Sequence, residues 1–551
     1  MHSVLAEQLD RAIDAGAEEL FARQRPDGAF TDNPPASALG TAGTVVALHA
    51  ADRAGSAELV RGGVRWLLDH QLPDGGWGGV VGAPSEVVGT SVAVAALRIV
   101  ASDDTSEAVE RGRRRLAEMG GVASVEDRAV AHLCQQFLAL AGIPDGPLRR
   151  LPLAVVLADR LRRQRISFRT APFVGLALLQ AHTMRMGAVP RLLNRAAEPR
   201  ALRLLETIHE HEGRTGAFSE DPWPAALVCL GLAKAGLAPH IVDAIAGFLR
   251  GAVRADGSWD AVTNLDLTRS GFAATGLVAA GYGADPRLAR TRDFFHGCQQ
   301  REPFTVFGVP AGGWSFSGPR GWPVVLESAE ILSALTGFPE HDGDEHLRTG
   351  LAWLRDRQDR TGSWSLWVRD TKLTNDGPCA GITSQGIVAL LDSGAPPDDP
   401  VVAKAVAWLV RDQRADGTYE NKWYRDWTTG TAAALGALAR AGHATHPAAQ
   451  RARQWLLRTQ NEDGSWGPGD GSAGSVEETA WTVHALLEAD GDTAPVRRGV
   501  SWLLGAQQPD GSWVPTRICN YIRHYMHYAN GAITRGLALR ALGAYRVEVT
   551  R

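Results

Sequence analysis

The sequence predicts an all-α protein of stacked helical hairpins, on three observations. A short phrase recurs at a fixed interval, an amphipathic helical pattern precedes it, and a second helical pattern rich in Ala and Leu follows it. The copies read QRPDGAF from Gln24, QLPDGGW from Gln71, QDRTGSW from Gln358, QRADGTY from Gln413, QNEDGSW from Gln460 and QQPDGSW from Gln507, with a partial RADGSW from Arg254. Gln24 to Gln71, Gln413 to Gln460 and Gln460 to Gln507 are each 47 residues apart.

Taken in order, the chain opens on MHSVLAEQLDRAIDAGAEEL, an amphipathic helix with acidic residues and none of the marks of a signal peptide. The helices before the repeat phrase include VAKAVAWLVRDQ, AAQRARQWLLRTQ and VRRGVSWLLGAQ, and those after it TGTAAALGALARAG and ETAWTVHALLEA. Between them, the Asp-Gly pair predicts a helix end, because Gly accepts the left-handed conformation that closes one. The Gln amide is expected to bond nearby backbone, and the aromatic residue six positions on to pack over the turn. Such hairpins cannot bury their own faces, so they stack as an open superhelix or a closed double-layered barrel, and periodicity does not choose. The copies cluster at both ends and the stretch 120–250 is degenerate, which suits two barrels better than one uniform array.

Composition narrows the function. With 57 basic and 61 acidic residues, a net charge of -4, there is no basic footprint for nucleic acid. The longest apolar runs, such as APFVGLALL at 171–179, fall far short of the roughly 20 residues that span a bilayer; peripheral membrane contact stays open. Five scattered cysteines, an odd number without metal-ligand spacing, argue against a disulfide framework and for a reducing cytoplasm.

One loop stands apart: AGGWSFSGPRGWPVVLESAE at 311–330 leads two tryptophans into an apolar helix start bearing only Glu327 and Glu330. On one helix these lie three residues apart on neighbouring faces, where burial and mutual repulsion would raise at least one pKa. The plain alternative is a pair of solvated carboxylates near the helix N-terminus.

The repeat resembles that of the squalene-hopene cyclase and class II terpene cyclase superfamily. The resemblance covers nearly the whole chain. It implies two (α/α) barrel domains, a β-type barrel from 1–19 plus 260–551 and a γ-type barrel inserted as 20–259. It also implies an enzyme that protonates an alkene with the Asp of a DxDD motif and guides the carbocation along aromatic walls. The loop frame matches, but Leu326 stands at the donor position, Glu327 takes the place of the last Asp, and Glu330 matches a glutamate of the related VSDCTAE form. The expectation is therefore an atypical cyclase of a linear C15 or C20 prenyl diphosphate, with Glu327 ahead of Glu330 as the acid. It needs no cofactor, or Mg2+ for the diphosphate. Metal-assisted ionisation or prenyl transfer, and a non-catalytic isoprenoid-binding protein, are the alternatives.

Other residues are weighed on the same resemblance. Asp266, in NLDLT at 264–268, looks like a remnant DxDDT, or a helix cap. DDTSE at 103–107 spells a magnesium-binding pattern, or a solvated cap. Asp376, Cys379 and either His524 or His527 resemble the zinc set of prenyltransferase β subunits, with one residue too many between Asp and Cys. Cavity lining is expected from Trp314, Phe316, Trp322, Leu326, Trp423, Tyr424, Trp427, Tyr521, Tyr525 and Tyr528. A diphosphate would need cations, and among Arg160, Arg162, Arg163, Arg165 and Arg169 the last, beside Phe168, is the one unlike a surface residue.

Overall fold

A computed structural model of the chain describes residues 2–32, 34–52, 55–100, 105–143, 145–157, 167–260, 262–263, 265–306, 308–339 and 341–550. Among the described residues there are 21 α-helices and one two-stranded hairpin. The chain divides into two compact units. Unit 1 is Met1–Asn33, Leu265–Asn520 and Tyr528–Arg551; unit 2 is Pro34–Asn264 and Tyr521–His527.

The first helix, α1 (His2–Phe21), belongs to unit 1. Unit 2 follows with α2 (Ala38–Ala51), α3 (Ser56–Asp69), α4 (Val87–Ile99), α5 (Ser106–Glu118), α6 (Arg128–Leu140), α7 (Thr170–Thr183), α8 (Ala188–His211), α9 (Pro222–Ala235) and α10 (Pro239–Gly251). Helices α2, α4, α7 and α9 are buried almost all round, whereas α3, α5 and α10 bury one stripe. The buried helices neighbour one another in the order α7, α9, α2, α4, α6. Gln180 of α7 donates to Gln136 of α6 at 2.7 Å and completes the circuit.

Unit 1 continues with α11 (Asp266–Leu277), α12 (Pro286–Cys298), α13 (Val325–Thr336), α14 (Glu345–Asp356), α15 (Ala380–Asp392) and α16 (Pro400–Asp412). After these come α17 (Thr428–Arg440), α18 (Pro447–Arg458), α19 (Val476–Asp490), α20 (Ala494–Ala506) and α21 (Gly531–Thr550); between the last two runs the hairpin β1 (Cys519–Ile522) and β2 (Met526–Tyr528), of which 521–527 is assigned to unit 2. Helices α11, α13, α15, α17, α19 and α21 pack each on the next, and α21 packs back on α11. Helices α12, α14, α16, α18, α20 and α1 form the outer layer, α1 against α21. The closed (α/α) barrel is thus realised, and the open superhelix is not. Where the ring closes, a Cβ on Gly276 would fall 2.3 Å from the Gly536 carbonyl oxygen, so only glycine lets α11 and α21 touch.

The repeat phrase stitches this architecture. Each tryptophan indole donates to the carbonyl ten residues earlier, near the end of an outer helix: Trp364 to Leu354 at 2.8 Å, Trp466 to Leu456 at 2.7 Å, Trp513 to Leu503 at 2.9 Å. The Gln71, Gln358, Gln413, Gln460 and Gln507 amides each bond the carbonyl of their own turn glycine and one on the next outer helix, as Gln460 does with Gly464 and Pro495, both at 2.9 Å. Outer helices α16 and α20 stop at the Gln, which is extended (Gln413 φ -60°, ψ 132°); the left-handed Gly417 (φ 90°) makes the turn beyond rather than capping the helix as expected. The same chemistry holds α1 in place. Gln507 donates to Ala12 at 2.8 Å and Gln24 to Arg287 at 2.9 Å. That is why the first boundary lies after residue 33 rather than 19: the Gln24 turn is part of unit 1. The Trp259 turn, with Trp259 bonded to Leu249 at 2.7 Å and Ala36 bridged to Asp260, keeps residues to 264 in unit 2. All five cysteines are buried and unpaired with one another.

Candidate active site

The apolar loop 311–324 folds back over the start of α13. Trp314 and Val324 form a bridge, Trp314 N–H donates to Ser328 Oγ at 2.9 Å, and Val325 N–H donates to the Leu366 carbonyl at 3.1 Å. At the helix start the Val325 N–H is met by backbone, while Ser328 Oγ takes the Trp314 N–H and donates back to the Val324 carbonyl at 2.6 Å. Glu327 and Glu330 turn inward and are 8% and 5% exposed, which removes the solvated-face alternative. Glu327 Oε1 accepts from the Thr268 hydroxyl at 2.8 Å. Burial, with Glu330 nearby adding its charge, pushes the Glu327 pKa up to about 7. Glu330 accepts from the Thr275 hydroxyl at 2.7 Å and from the Gln385 amide at 3.0 Å, and Arg540 lies 3.9 Å away.

Aromatic rings cluster in the same unit. Phe272, Tyr424 and Trp481 meet edge to face, at 6.1 Å between Phe272 and Tyr424, 6.2 Å between Phe272 and Trp481 and 4.9 Å between Tyr424 and Trp481. Burial, together with the charges of Cys519, Glu327 and Glu330, holds the Tyr424 phenol well above its ordinary range. Tyr528 is buried, and its titration too is raised chiefly by burial and is sensitive to Glu327. Among the inner helices α13, α15, α17, α19 and α21 lies a cavity of about 60 Å³ whose lining includes Ala329, Glu330, Gln385, Ala433, Trp481 and His484. The small side chains of α17, Ala432, Ala433, Gly436 and Ala437, leave that space open.

Several expected site residues do other work. Asp266 Oδ2 sits 2.7 Å from Arg25 and its Oδ1 3.5 Å from Arg269, an ion-pair anchor at the start of α11 rather than an acid in an apolar wall. Trp314 is fully buried and donates to the Phe295 carbonyl at 2.7 Å; its ring would meet any Cβ placed on Gly350 of outer helix α14, so it is a stitching tryptophan and not cavity lining. Trp322 packs against Phe304 and Trp367, and Phe316 against Trp367, a cluster of the loop's own; Leu326 is buried and has no proton to give. Trp427 lies under the exposed Arg414 guanidinium, 4.3 Å from its ring centre, which puts it at the turn surface. Trp423 is half-buried in the segment paired with Asn520.

Tyr521 and Tyr525 belong to unit 2, where Tyr521 donates to Asp221 at 2.6 Å and Tyr525 accepts from the Glu126 N–H at 2.7 Å. Arg169 also lies in unit 2, half-buried before α7 with its guanidinium 5.5 Å from the Phe168 ring centre. Asp376 and Cys379 are buried in unit 1, whereas His527 is in the segment assigned to unit 2. Among the described residues no three His, Cys, Asp or Glu are placed to hold a metal ion. Residues 103, 104, 160, 162, 163 and 165 lie outside the described residues; Glu107 of the same acidic stretch is in the first turn of α5.

Sequence reasoning missed a second buried pair. Glu477 and Glu478, in the first turn of α19, have no exposed surface. Glu477 accepts from the Thr516 N–H and hydroxyl at 2.9 and 2.7 Å and from the Thr534 hydroxyl at 2.5 Å. Glu478 has Arg425 at 3.4 Å, and burial with the Glu477 charge pushes its pKa up to about 8. The signal was present in VEETAW: adjacent charges at the start of an otherwise apolar inner helix, as in VLESAE.

Family comparison agrees with this geometry. The model of the squalene-hopene cyclase C-terminal domain matches residues 311–546, and that of the N-terminal domain residues 13–144. The chain is 25% identical to a squalene-hopene cyclase of Alicyclobacillus acidocaldarius, over 78% of this chain and 79% of that protein. It is 24% identical to an enfumafungin synthase of Hormonema carpetanum over 84% of this chain, yet spans 43% of that protein's length. An ent-copalyl diphosphate synthase of a Streptomyces is 29% identical over 33% of this chain and 37% of its own. Among solved structures, an ent-copalyl diphosphate synthase from Streptomyces platensis superposes with a TM-score of 0.60 at 20% identity, covering 98% of this chain and 99% of that one, and so shares the fold. The repeat stitching, the closed barrel, the acid loop frame and the two matched domains together make this chain a member of the squalene-hopene cyclase and class II terpene cyclase superfamily.

Proposed function

We propose that the protein cyclises a linear C15 or C20 prenyl diphosphate and that Glu327 starts the reaction as proton donor. The observation that carries this reading is a buried carboxyl, held by Thr268, whose pKa near 7 keeps a proton available at neutral pH. In the proposed step the Glu327 O–H bond breaks, the alkene π pair takes the proton, and a tertiary cation forms. The next alkene closes a ring on that cation. The faces of Phe272, Tyr424 and Trp481 offer it negative quadrupole, and loss of a C–H proton ends the sequence with the diphosphate retained. Glu330, anchored by Thr275, Gln385 and Arg540, supplies charge that holds Glu327 in its protonated form.

The residues described do not form a metal cage, so no proposed step runs through a metal; magnesium would enter on the substrate's own diphosphate oxygens. The reading takes the isoprenoid as a small-molecule partner met in the cytoplasm or by peripheral contact with a membrane. No described helix is long and apolar enough to cross one. A second reading, isoprenoid binding without turnover, is favoured by Leu326, a residue with no proton to give at the position where the resemblance places the donor. Incubation with farnesyl and geranylgeranyl diphosphate and a neutral C30 polyene, with and without EDTA, followed by mass spectrometry separates the two. Cyclic product from wild type and none from Glu327→Gln is expected. An active Glu327→Gln enzyme would remove Glu327 from the donor role, and no turnover of any substrate would leave the binding reading.

A further inference from the structure

The repeat has a further copy, stretched by an insertion, and it holds the 311–324 loop. Its glutamine is Gln299, whose amide donates to the carbonyl of the turn glycine, Gly312, and to that of His346 on outer helix α14, both at 2.9 Å. Its tryptophan is Trp314, bonded to Phe295. Gln300 reinforces the clamp from the backbone: its N–H donates to the Gly313 carbonyl at 3.0 Å and its carbonyl accepts from the Gly312 N–H at 2.8 Å. What differs is the group on the glutamine oxygen. In the Gln24, Gln71, Gln413 and Gln460 copies that oxygen accepts from an arginine of the next outer helix, Arg290, Arg111, Arg451 and Arg498 in turn. At Gln299 it accepts from His346 Nδ1 at 2.6 Å. Both amide hydrogens of Gln299 are spent, so its Oε1 can only accept and Nδ1 must carry the hydrogen.

An arginine keeps its charge at every working pH, and a histidine does not. The His346 ring lies flat against His296 of α12, with centroids 4.2 Å apart and planes at 11°, and His296 Nε2 meets Asp344 Oδ2 at 2.8 Å. Asp344 also caps α14 by accepting from the His346 N–H at 2.8 Å, so the two rings, the cap and the clamp form one network. Burial, then the charge of His296, holds His346 below the ordinary histidine range; Arg301 acts in the same direction, and Asp344 and Glu345 oppose it. The folded protein therefore takes up this proton less readily than the unfolded chain, and stability is lost as pH falls below the ordinary histidine value of about 6.5. We propose that His346 is a positioning residue for the 311–324 loop: it holds Gln299 on Gly312 while its ring is neutral and lets go when both stacked rings are charged. Two imidazolium rings face to face repel, and His296 is tied to Asp344 by a charge-assisted bond, so it is the His346 ring that swings out and takes Nδ1 from Gln299. The consequence for catalysis rests on the cyclase reading above; that for the loop does not. Protonation of Glu327 alone would make the rate climb as pH falls through about 7, and the catch turns that climb over.

Hydrogen exchange of the full chain at pH 7.5 and 5.5, corrected for the intrinsic pH dependence of exchange, reads the loop directly. In wild type, peptides covering 299–324 should exchange about fivefold faster at pH 5.5, while those covering the arginine-held Gln413 and Gln460 turns do not change. His346→Asn keeps a donor near the place of Nδ1 without a titrating ring, and His296→Asn leaves the His346 bond and removes the facing charge; each should keep the loop protected at both pH values. A wild-type loop indifferent to pH overturns the proposal, as does acid opening that either variant retains or that the Gln413 and Gln460 turns share. In product formation, the wild-type rate should fall below about pH 6 while that of His346→Asn goes on rising; a fall in both refutes the positioning role. A wild type that makes no product counts against the cyclase reading, and the exchange result still decides the catch.

Discussion

Replacing Glu327 with Gln should stabilise the protein while abolishing its chemistry, and the size of the gain follows from the site. The Glu327 carboxyl titrates near 4.5 when unfolded and near 7 when folded, because burial penalises its anion. The folded state thus binds more protons between those values, and stability falls as pH rises from 4.5 to 7, then levels. At about 1.4 kcal/mol per pKa unit the full loss is about 3 kcal/mol. A neutral Gln keeps an oxygen for Thr268 and carries no such cost. Relative to wild type, Glu327→Gln should therefore gain about 3 kcal/mol at pH 8 and less than about 1 kcal/mol at pH 5. Urea titrations of the full chain at the two pH values, with product formation followed in parallel, measure both. A variant no better at pH 8 than at pH 5, relative to wild type, would refute the premise that this carboxyl is protonated by burial.

Trp466→Ala should cost about 3–5 kcal/mol, the range for emptying a packed tryptophan site, because it also orphans the Leu456 carbonyl; a thermal midpoint close to wild type would contradict the stitching role. Gln507→Ala removes the donor shared by Ala12 and Gly511, costing about 1–3 kcal/mol, and should make α1 cleavable by protease at lower denaturant concentration than in wild type. Asp266→Asn removes the charge partner of half-exposed Arg25 and of buried Arg269, so a loss of about 1–3 kcal/mol with product formation intact is expected; complete loss of product would return Asp266 to the acid role.

Periodicity made the hairpin unit legible, because each repeat carries its own stitching groups: the Gln and Trp of one phrase reach only a helix end and the adjacent outer helix. Ring closure was not legible, since it depends on α11 meeting α21 through Gly276 and Gly536, a contact no local pattern encodes. The inward turn of Glu327 and Glu330 was one of two readings. The burial of both side chains decided it. Aromatic residues misled where they belonged to repeat turns: Trp314 and Trp427 share composition with cavity walls but serve the layer between inner and outer helices or the turn surface. Glu477 and Glu478 follow no loop that resembles the acid motif, and only the apolar run interrupted by carboxylates in their own helix marks them.

The bond from Gln507 to Ala12 spans 495 residues, and it bears on the order in which the protein can assemble. During synthesis α1 emerges before unit 2, whereas the Gln507 amide that its Ala12 carbonyl accepts from and the α21 surface it covers come only after unit 2. Unit 2 comes off the ribosome nearly whole while α1 waits with an unpaired apolar stripe, and even unit 2 lacks its 521–527 segment until late. A chain with such distant partners folds slowly and stays prone to association in the interval. The closing of the ring by α21 is thus the step that covers the α1 stripe.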